Sequence, residues 1–350
     1  MAAAFAYGVN DSVFWPVQSL DNPLEEAGYA TMFRTERKRF EALKVAVKDC
    51  RVAGCEILYE PLVNILPGGT KGNYAWANVT GRLGIPHTSA NGKVKLLSGK
   101  IIETMNDDEI KKLLGGSVFL DGQAAYILSK KGFSKMIGAE VFPGGDPNFW
   151  NEGLRDPSLY PNVNGQLMHN RLFFGRVGTE GGAFYQLNPL DRTEIITDFL
   201  GLDEKPVLPG MVRYENGLGG RVAITAFDLG SNNSSSSILN YRKKEIIRQT
   251  IEWLGNEPLP VFVKDIPNVF CIFNRSKSND YAIVTIINLC SDTFDAITLN
   301  IAPEWANSTF MLLDSNGEWH QADVVLQDYT LKIDVSLPLL GPVIIKFIKR

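Results

Sequence analysis

Three carboxylates stand at the ends of short apolar runs, where a side chain can reach over the edge of a parallel sheet. Glu60 follows Cys55-Glu56-Ile57-Leu58-Tyr59, Asp121 follows Ser117 to Leu120, and Asp228 closes the run from Arg221 to Phe227. Two carboxyl groups about 5–5.5 Å apart, one protonated and one ionised, can divide glycosidic-bond hydrolysis between a proton donor and a nucleophile. Asp121 and Asp228 each also precede a turn, so the competing role is to cap the next helix or accept loop amides. For Glu60 the competing role is a hydrogen bond to a helix or loop. If both aspartate turns share one sheet edge, each charge shifts the other's proton affinity and the two could form an acid/base pair.

Aromatic rings can cover the apolar face of a pyranose, and several lie in polar, loop-like stretches: Phe14, Trp15, Tyr29, Tyr74, Trp76, Phe149, Trp150, Tyr160 and Tyr185. Core or interface packing is the alternative for each. Trp15, Trp76 and Trp150, with Arg155 as a hydroxyl-binding donor, are the expected carbohydrate contacts. The four cysteines lack CxxC spacing and read as reduced thiols, and with only three histidines a metal centre or a serine triad would need ligands from distant segments. No metal and no cofactor are expected. Gly144-Gly145-Asp146-Pro147-Asn148 reads as a turn, since it lacks the lysine and the preceding strand of a phosphate loop.

The 350 residues allow two or three domains. With 45% hydrophobic and 21% charged residues the composition is that of a globular protein, and a formal charge of −4 without a basic cluster argues against nucleic acid as a partner. The longest apolar run, Pro338 to Ile348, is broken by Gly341, Pro342 and Lys346, so no membrane span is expected. The apolar Met1 to Phe5 lacks the basic flank of a signal peptide, which makes the cytoplasm the expected compartment.

These groups need elements to position them. Glu36 to Val52 has helical periodicity and is followed by a short buried strand ending near Pro61. Lys93 to Leu97 and Ser117 to Leu120 read as strands. The helix between them starts at Asn106, whose side chain can accept the free amides of the first turn. Gln123 to Lys131 reads as a second helix, so strand and helix alternate as in a parallel sheet. Pro143 to Leu187, rich in Gly, Pro and Asn, reads as an insertion or an irregular strand pair over the sheet edge. Arg221 to Asp228 is a buried strand, Gly230 to Ser237 a polar loop, and Leu239 to Leu254 an amphipathic helix. After Pro260, short β-rich runs separated by turn residues predict a sandwich.

Leu83-Gly84-Ile85-Pro86, Leu96-Leu97-Ser98-Gly99, Asn106 to Ile110, Gly115 to Gly122, Gly132-Phe133 and Ile137-Gly138 together resemble the flavodoxin-like domain that follows the barrel in glycoside hydrolases of the family 42 type. That domain is the β-galactosidase trimerisation domain, related to class I glutamine amidotransferases. The resemblance implies an α/β fold, with a partial barrel-like βα segment over 1–79, a flavodoxin-like parallel sheet domain over 80–256 and an all-β sandwich over 257–350. It also implies carbohydrate as the partner class and a homo-oligomer, a dimer or trimer. A complete barrel takes about 250 residues and only about 80 precede the domain, so the expectation is a non-catalytic structural and oligomerisation region. Two alternatives stand beside it: a retaining glycosidase whose site is completed across subunits, and a sugar-binding module without turnover. The amidotransferase nucleophile is absent, because Asp121-Gly122-Gln123 occupies the turn where a cysteine would stand.

Overall fold

The computed structural model describes residues 2–9, 27–67, 72–145, 149, 151–159, 184–230 and 241–350, with the side chains of 27–33, 159, 241 and 242 left out. Trp15, Trp150, His169, Asp146 to Asn148 and the Ser231 to Ser237 loop therefore lie outside the described residues.

The chain divides into two compact units, one comprising Met1–Gly54, Gly84–Pro86 and Pro260–Arg350, the other Cys55–Leu83 and His87–Leu259. The first unit opens with α1 (Ala2–Ala6), α2 (Ala27–Val47) and β1 (Cys50–Ala53). In the second unit, β2 (Cys55–Ile57), α3 (Ala75–Leu83), β3 (His87–Thr88), β4 (Val94–Leu97), α4 (Asp107–Leu114), β5 (Ser117–Leu120), α5 (Gly122–Lys130) and α6 (Ser134–Ile137) come first. It continues through β6 (Ala139–Pro143), β7 (Asn151–Leu154), β8 (Tyr185–Pro189), β9 (Glu194–Leu200), β10 (Pro206–Glu215), β11 (Arg221–Thr225) and α7 (Tyr241–Gly255). The first unit then resumes with β12 (Val261–Val263), β13 (Val269–Ser276), β14 (Tyr281–Asn288), β15 (Phe294–Ile301), β16 (Thr309–Leu313), β17 (Trp319–Gln321), β18 (Val324–Gln327), β19 (Thr330–Leu337) and β20 (Pro342–Ile348).

The second unit is built on an eight-stranded sheet of order β3-β2-β4-β5-β11-β10-β9-β7. From β3 to β11 neighbouring strands run parallel. The remaining pairs, β11 with β10, β10 with β9 and β9 with β7, are antiparallel. The sheet is thus mixed rather than wholly parallel. Val118, Phe119 and Leu120 of β5 are all fully buried, as expected for a central strand covered on both faces. Asn106 caps α4 by accepting from Asp108 and Glu109 amides, and the Glu109 side chain accepts from the Asn106 amide in return, a closed capping box.

In the first unit, a six-stranded sheet, β1-β13-β14-β20-β16-β17, and a four-stranded sheet, β12-β15-β19-β18, contribute to a single core. The alternation is plain along β19, where Leu331, Ile333 and Leu337 are buried and Lys332, Asp334 and Ser336 are exposed. The outer face of the six-stranded sheet is apolar too: Ile272, Ile283 and Ile344 pack with Ala6, Leu43 and Val47 of the helices.

That packing corrects the expected barrel-like segment over 1–79. The segment is divided, because α2 and β1 complete the sandwich unit, β1 pairing antiparallel with β13 from Cys50↔Ser276 to Ala53↔Phe273, while β2 enters the α/β sheet. Val52 accordingly lies in a strand rather than at a helix end. Among the described residues, no helix is long and apolar enough to cross a membrane.

Phe347 lies fully buried between Phe310 and Trp305, ring centroids at 5.0 and 6.0 Å. Phe347→Ala is expected to destabilise the first unit by about 3–5 kcal/mol in chemical denaturation, because the cavity opens in the core that both sheets share.

Candidate functional site

The carboxyl ends of the parallel strands converge on Asp121. It follows β5 and caps α5, its Oδ1 accepting from Ala124 N at 2.9 Å. The same carboxylate accepts from Gly99 N, in the loop after β4, at 3.1 Å, and from Leu229 N, in the loop after β11, at 3.3 Å. One side chain with 0% exposure thereby ties together three successive loops at the sheet edge. The backbone reinforces it, since Asp121 N donates to Leu97 O and Gly122 N to Phe227 O. Gly122 admits that approach by having no side chain, because a Cβ there would stand 2.5 Å from Ala226 O.

The sheet edge also brings Asp228 within charge–charge range of Asp121. Burial first, then the Asp228 charge, pushes the Asp121 carboxyl well above its ordinary proton affinity, against the three amides that favour the ionised form. Asp228 is half-buried and accepts from Gly230 N at 2.9 Å. Tyr185 completes the cluster. Its ring stacks on Tyr126 at 5.3 Å, and burial, Asp228 and Asp121 in that order raise its hydroxyl pKa.

Strand order reverses beside β2, with β3 on one side and β4 on the other, and open α/β sheets bind ligands in the crevice at such a reversal. Among the described residues, the loops at these strand ends pack closely on one another. Ser98 Oγ donates to Gly72 O at 2.6 Å, and a Cβ on Gly72 would stand 2.7 Å from Gly99 Cα. Asn73, fully buried, accepts from Glu60 N at 3.1 Å and donates to Glu60 O at 2.8 Å. The Glu60 carboxylate caps the one-turn helix Pro61–Ile65 by accepting from Leu62 N at 3.0 Å. None of the described interactions joins Glu60 to the aspartate pair.

Trp76, expected to meet a sugar, is instead fully buried: its indole Nε1 donates to Leu97 O at 3.1 Å and its ring lies 4.5 Å from Phe119. Phe149 likewise is core, stacked on Phe199 at 4.2 Å. Arg155 makes a two-pronged pair with Asp198, Nη2 to Oδ1 at 2.6 Å and Nε to Oδ2, and leaves nearly half its side chain exposed. Sequence reading missed the buried ion pair of Glu152 and Lys243, each side chain 1% exposed. Thr197 Oγ1 donates to Glu152 at 2.6 Å, and the Lys243 ammonium lies 4.2 Å over the Phe227 ring. Burial lowers the Lys243 pKa against the opposing pull of Glu152. Nothing local signals this pair, since Lys243 reads as part of a solvated helix face.

Among the described residues, one group has the spacing of metal ligands: Asp314, Glu318 and His320 of the first unit, with ligand atoms within 4.8 Å of one another. They serve the β16–β17 hairpin. Asp314 accepts from Asn316 N at 2.9 Å and Glu318 N at 2.8 Å and pairs with His320 Nε2 at 3.0 Å.

The architecture defines a class in outline, a mixed α/β unit joined in one chain to a two-sheet β-sandwich. No protein-family model matches the chain, and no curated protein matches it. Among solved structures, the whole chain is similar to 56% of the alpha-L-fucosidase isoenzyme 2 from Paenibacillus thiaminolyticus, with a TM-score of 0.62 and 12% identity. A rhamnosidase from Novosphingobium sp. PP1Y aligns with 99% of this chain over 29% of its own length, at a TM-score of 0.43 and 13% identity. The chain thus spans about half the length of the fucosidase, and at this identity the likeness is one of fold.

Asp121→Ala leaves three amide donors without their acceptor and is expected to cost about 2–4 kcal/mol in urea denaturation, with Asp121→Asn costing less because one acceptor oxygen remains. A second expectation concerns pH. The folded-state pKa of Asp121 lies above the ordinary value of 3.8, so its unfavourable contribution is absent below the unfolded value and develops as pH rises through the folded one. Asp228→Asn removes one of the two raising causes and should stabilise the protein at neutral pH, a gain that shrinks as pH falls toward 3.8 when melting is followed against pH.

Proposed function

We propose that this chain is a non-catalytic structural and oligomerisation region of a carbohydrate-active protein of the glycoside hydrolase type. In this reading the second unit is a flavodoxin-like domain of the β-galactosidase trimerisation kind and the first unit its accompanying β-sandwich. The observation that carries it is the packing of the described loops around Asp121, which has no exposed surface, its oxygens held by three backbone amides, while Gly72 O accepts from Ser98 of the loop after β4. A glycosidase needs both carboxyl groups open to the sugar. Glu60 spends its carboxylate on a helix cap.

Carbohydrate as partner class draws support from the likeness to a protein named for fucoside hydrolysis, over the full length of this chain. The family 42 assignment rests on the motifs between Leu83 and Gly138. A second reading, a retaining glycosidase completed by a neighbouring subunit, is favoured by one feature, the half-buried Asp228 beside Asp121, whose proton affinity burial and the Asp228 charge raise.

The purified chain is expected to release no nitrophenol from 4-nitrophenyl α-L-fucoside or β-D-galactoside above the buffer rate. Turnover that persists through purification and disappears in Asp228→Asn or Glu60→Gln would replace this proposal with the second reading. Saturable quenching of tryptophan fluorescence by sugars, without turnover, would instead favour a binding module.

A further inference from the structure

The four-stranded sheet of the first unit ends at β18, and no described strand pairs beyond it. β18 runs antiparallel to β19, from Val324↔Ile333 to Gln327↔Thr330, across a two-residue turn of Asp328 and Tyr329 with φ +46° and +61°. The pair that closes such a turn exchanges both ladder bonds, and the bonding side alternates from there along the strand. Val324 and Leu326 therefore aim their amides and carbonyls at the open edge. Among the described residues, no backbone hydrogen bond outside the sheet reaches those groups.

An edge of this kind is a template for a further strand, and folds ordinarily blunt it with a lysine, a proline or a bulge. Apart from being short, β18 is not blunted: it reads Val324-Val325-Leu326-Gln327, and its register on β19 is unbroken. Val324 packs on the sandwich core, while Val325 is 65% and Tyr329 51% exposed. Apolar side chains thus flank unpaired main chain on a solvent-facing strand. Strand addition uses that combination, main-chain bonds holding the guest and alternate side chains selecting it.

The charge around the edge defines the guest. Asp323 and Asp328 bracket β18, both exposed, and among the described residues neither takes part in an ion pair. The cation on the neighbouring strand, Lys332, is paired with Asp334 at 3.4 Å. A second copy of β18 laid antiparallel on this edge brings Asp323 of each copy near Asp328 of the other, and like charges across strands destabilise the pairing. A strand with basic residues at both ends of an apolar centre meets opposite charge at each end instead. Repulsion of the one and attraction of the other together give the edge its selectivity.

We infer that the β18 edge accepts a strand from another protein: an extended, β-branched segment with a lysine or arginine at either end, added to the four-stranded sheet beyond β18. This inference is independent of the oligomerisation reading.

The test titrates the full chain into a fluorescein-labelled peptide, Lys-Val-Thr-Val-Thr-Lys, and follows its anisotropy. Saturation below about 1 mM is expected. The same peptide with glutamate in both lysine positions is expected to bind at least about tenfold more weakly, since its charges repel those of the edge. Asp323→Asn combined with Asp328→Asn is expected to cut affinity for the basic peptide by about fivefold, the loss of two cross-strand charge pairs. Asparagine keeps the size of each side chain and suits the left-handed turn at Asp328. Leu326→Pro removes an outward amide and no bond to β19, so it should abolish binding, and the paired asparagine variant decides the matter if it fails to fold. Equal binding of the two peptides, or binding that survives Leu326→Pro, overturns strand addition at this edge. So does a failure to saturate by about 1 mM. Self-association of the chain that Val325→Lys abolishes also overturns it, by assigning the edge to a second copy.

Discussion

The α/β unit depends on one buried carboxylate. A parallel sheet must send its chain back over the edge after every strand, and each return leaves amides that need acceptors. Asp121 supplies acceptors for three returns at once, those after β4, β5 and β11. The charge is expensive to bury, and Asp228 nearby makes it more so, yet the amides cannot be satisfied by a neutral apolar residue. The same group that a sequence reading would nominate for acid/base chemistry is thereby committed to holding loops together. A strand end is where open α/β sheets bind ligands, and here the carboxylate at that position also gathers three loops.

A second buried charge pair has a related role at the other end of the sheet. Glu152 on β7 and Lys243 on α7 fix the outermost antiparallel strand to the helix. Buried pairs of this sort contribute little net stability compared with a well-packed apolar substitute, but removing one partner strands the other charge. The aromatic stack of Phe149, Phe199 and Phe227 supplies the apolar part of the same junction.

Much of this was legible in the sequence, for local reasons. Asn106 followed by Glu109 announces a helix start, Asp121-Gly122 after an apolar tetrad announces a strand-to-helix turn, and the alternation along β19 announces one buried face. What escaped depends on remote pairing or on interrupted pattern. β10 contains Pro206, Pro209 and Gly210, and its register on β9 shifts repeatedly, so no clean period survives. Cys50 to Val52 continues a helical pattern in sequence and in the fold belongs to a strand paired with the remote β13. At the site, the types of residue were visible but their burial was not: Trp76 has a ring suited to a sugar and spends it on Phe119 and the Leu97 carbonyl.

The contact of Gly72 with Gly99 has an electrostatic corollary. Two main chains lie so close that hydrogen is the largest substituent either α-carbon tolerates toward the other. Any larger residue at either position would act as a wedge, parting the loops and exposing the aspartate behind them to water. Water reaching the aspartate would relieve the burial that raises its proton affinity, so the two glycines help to set the protonation behaviour of a side chain neither of them carries.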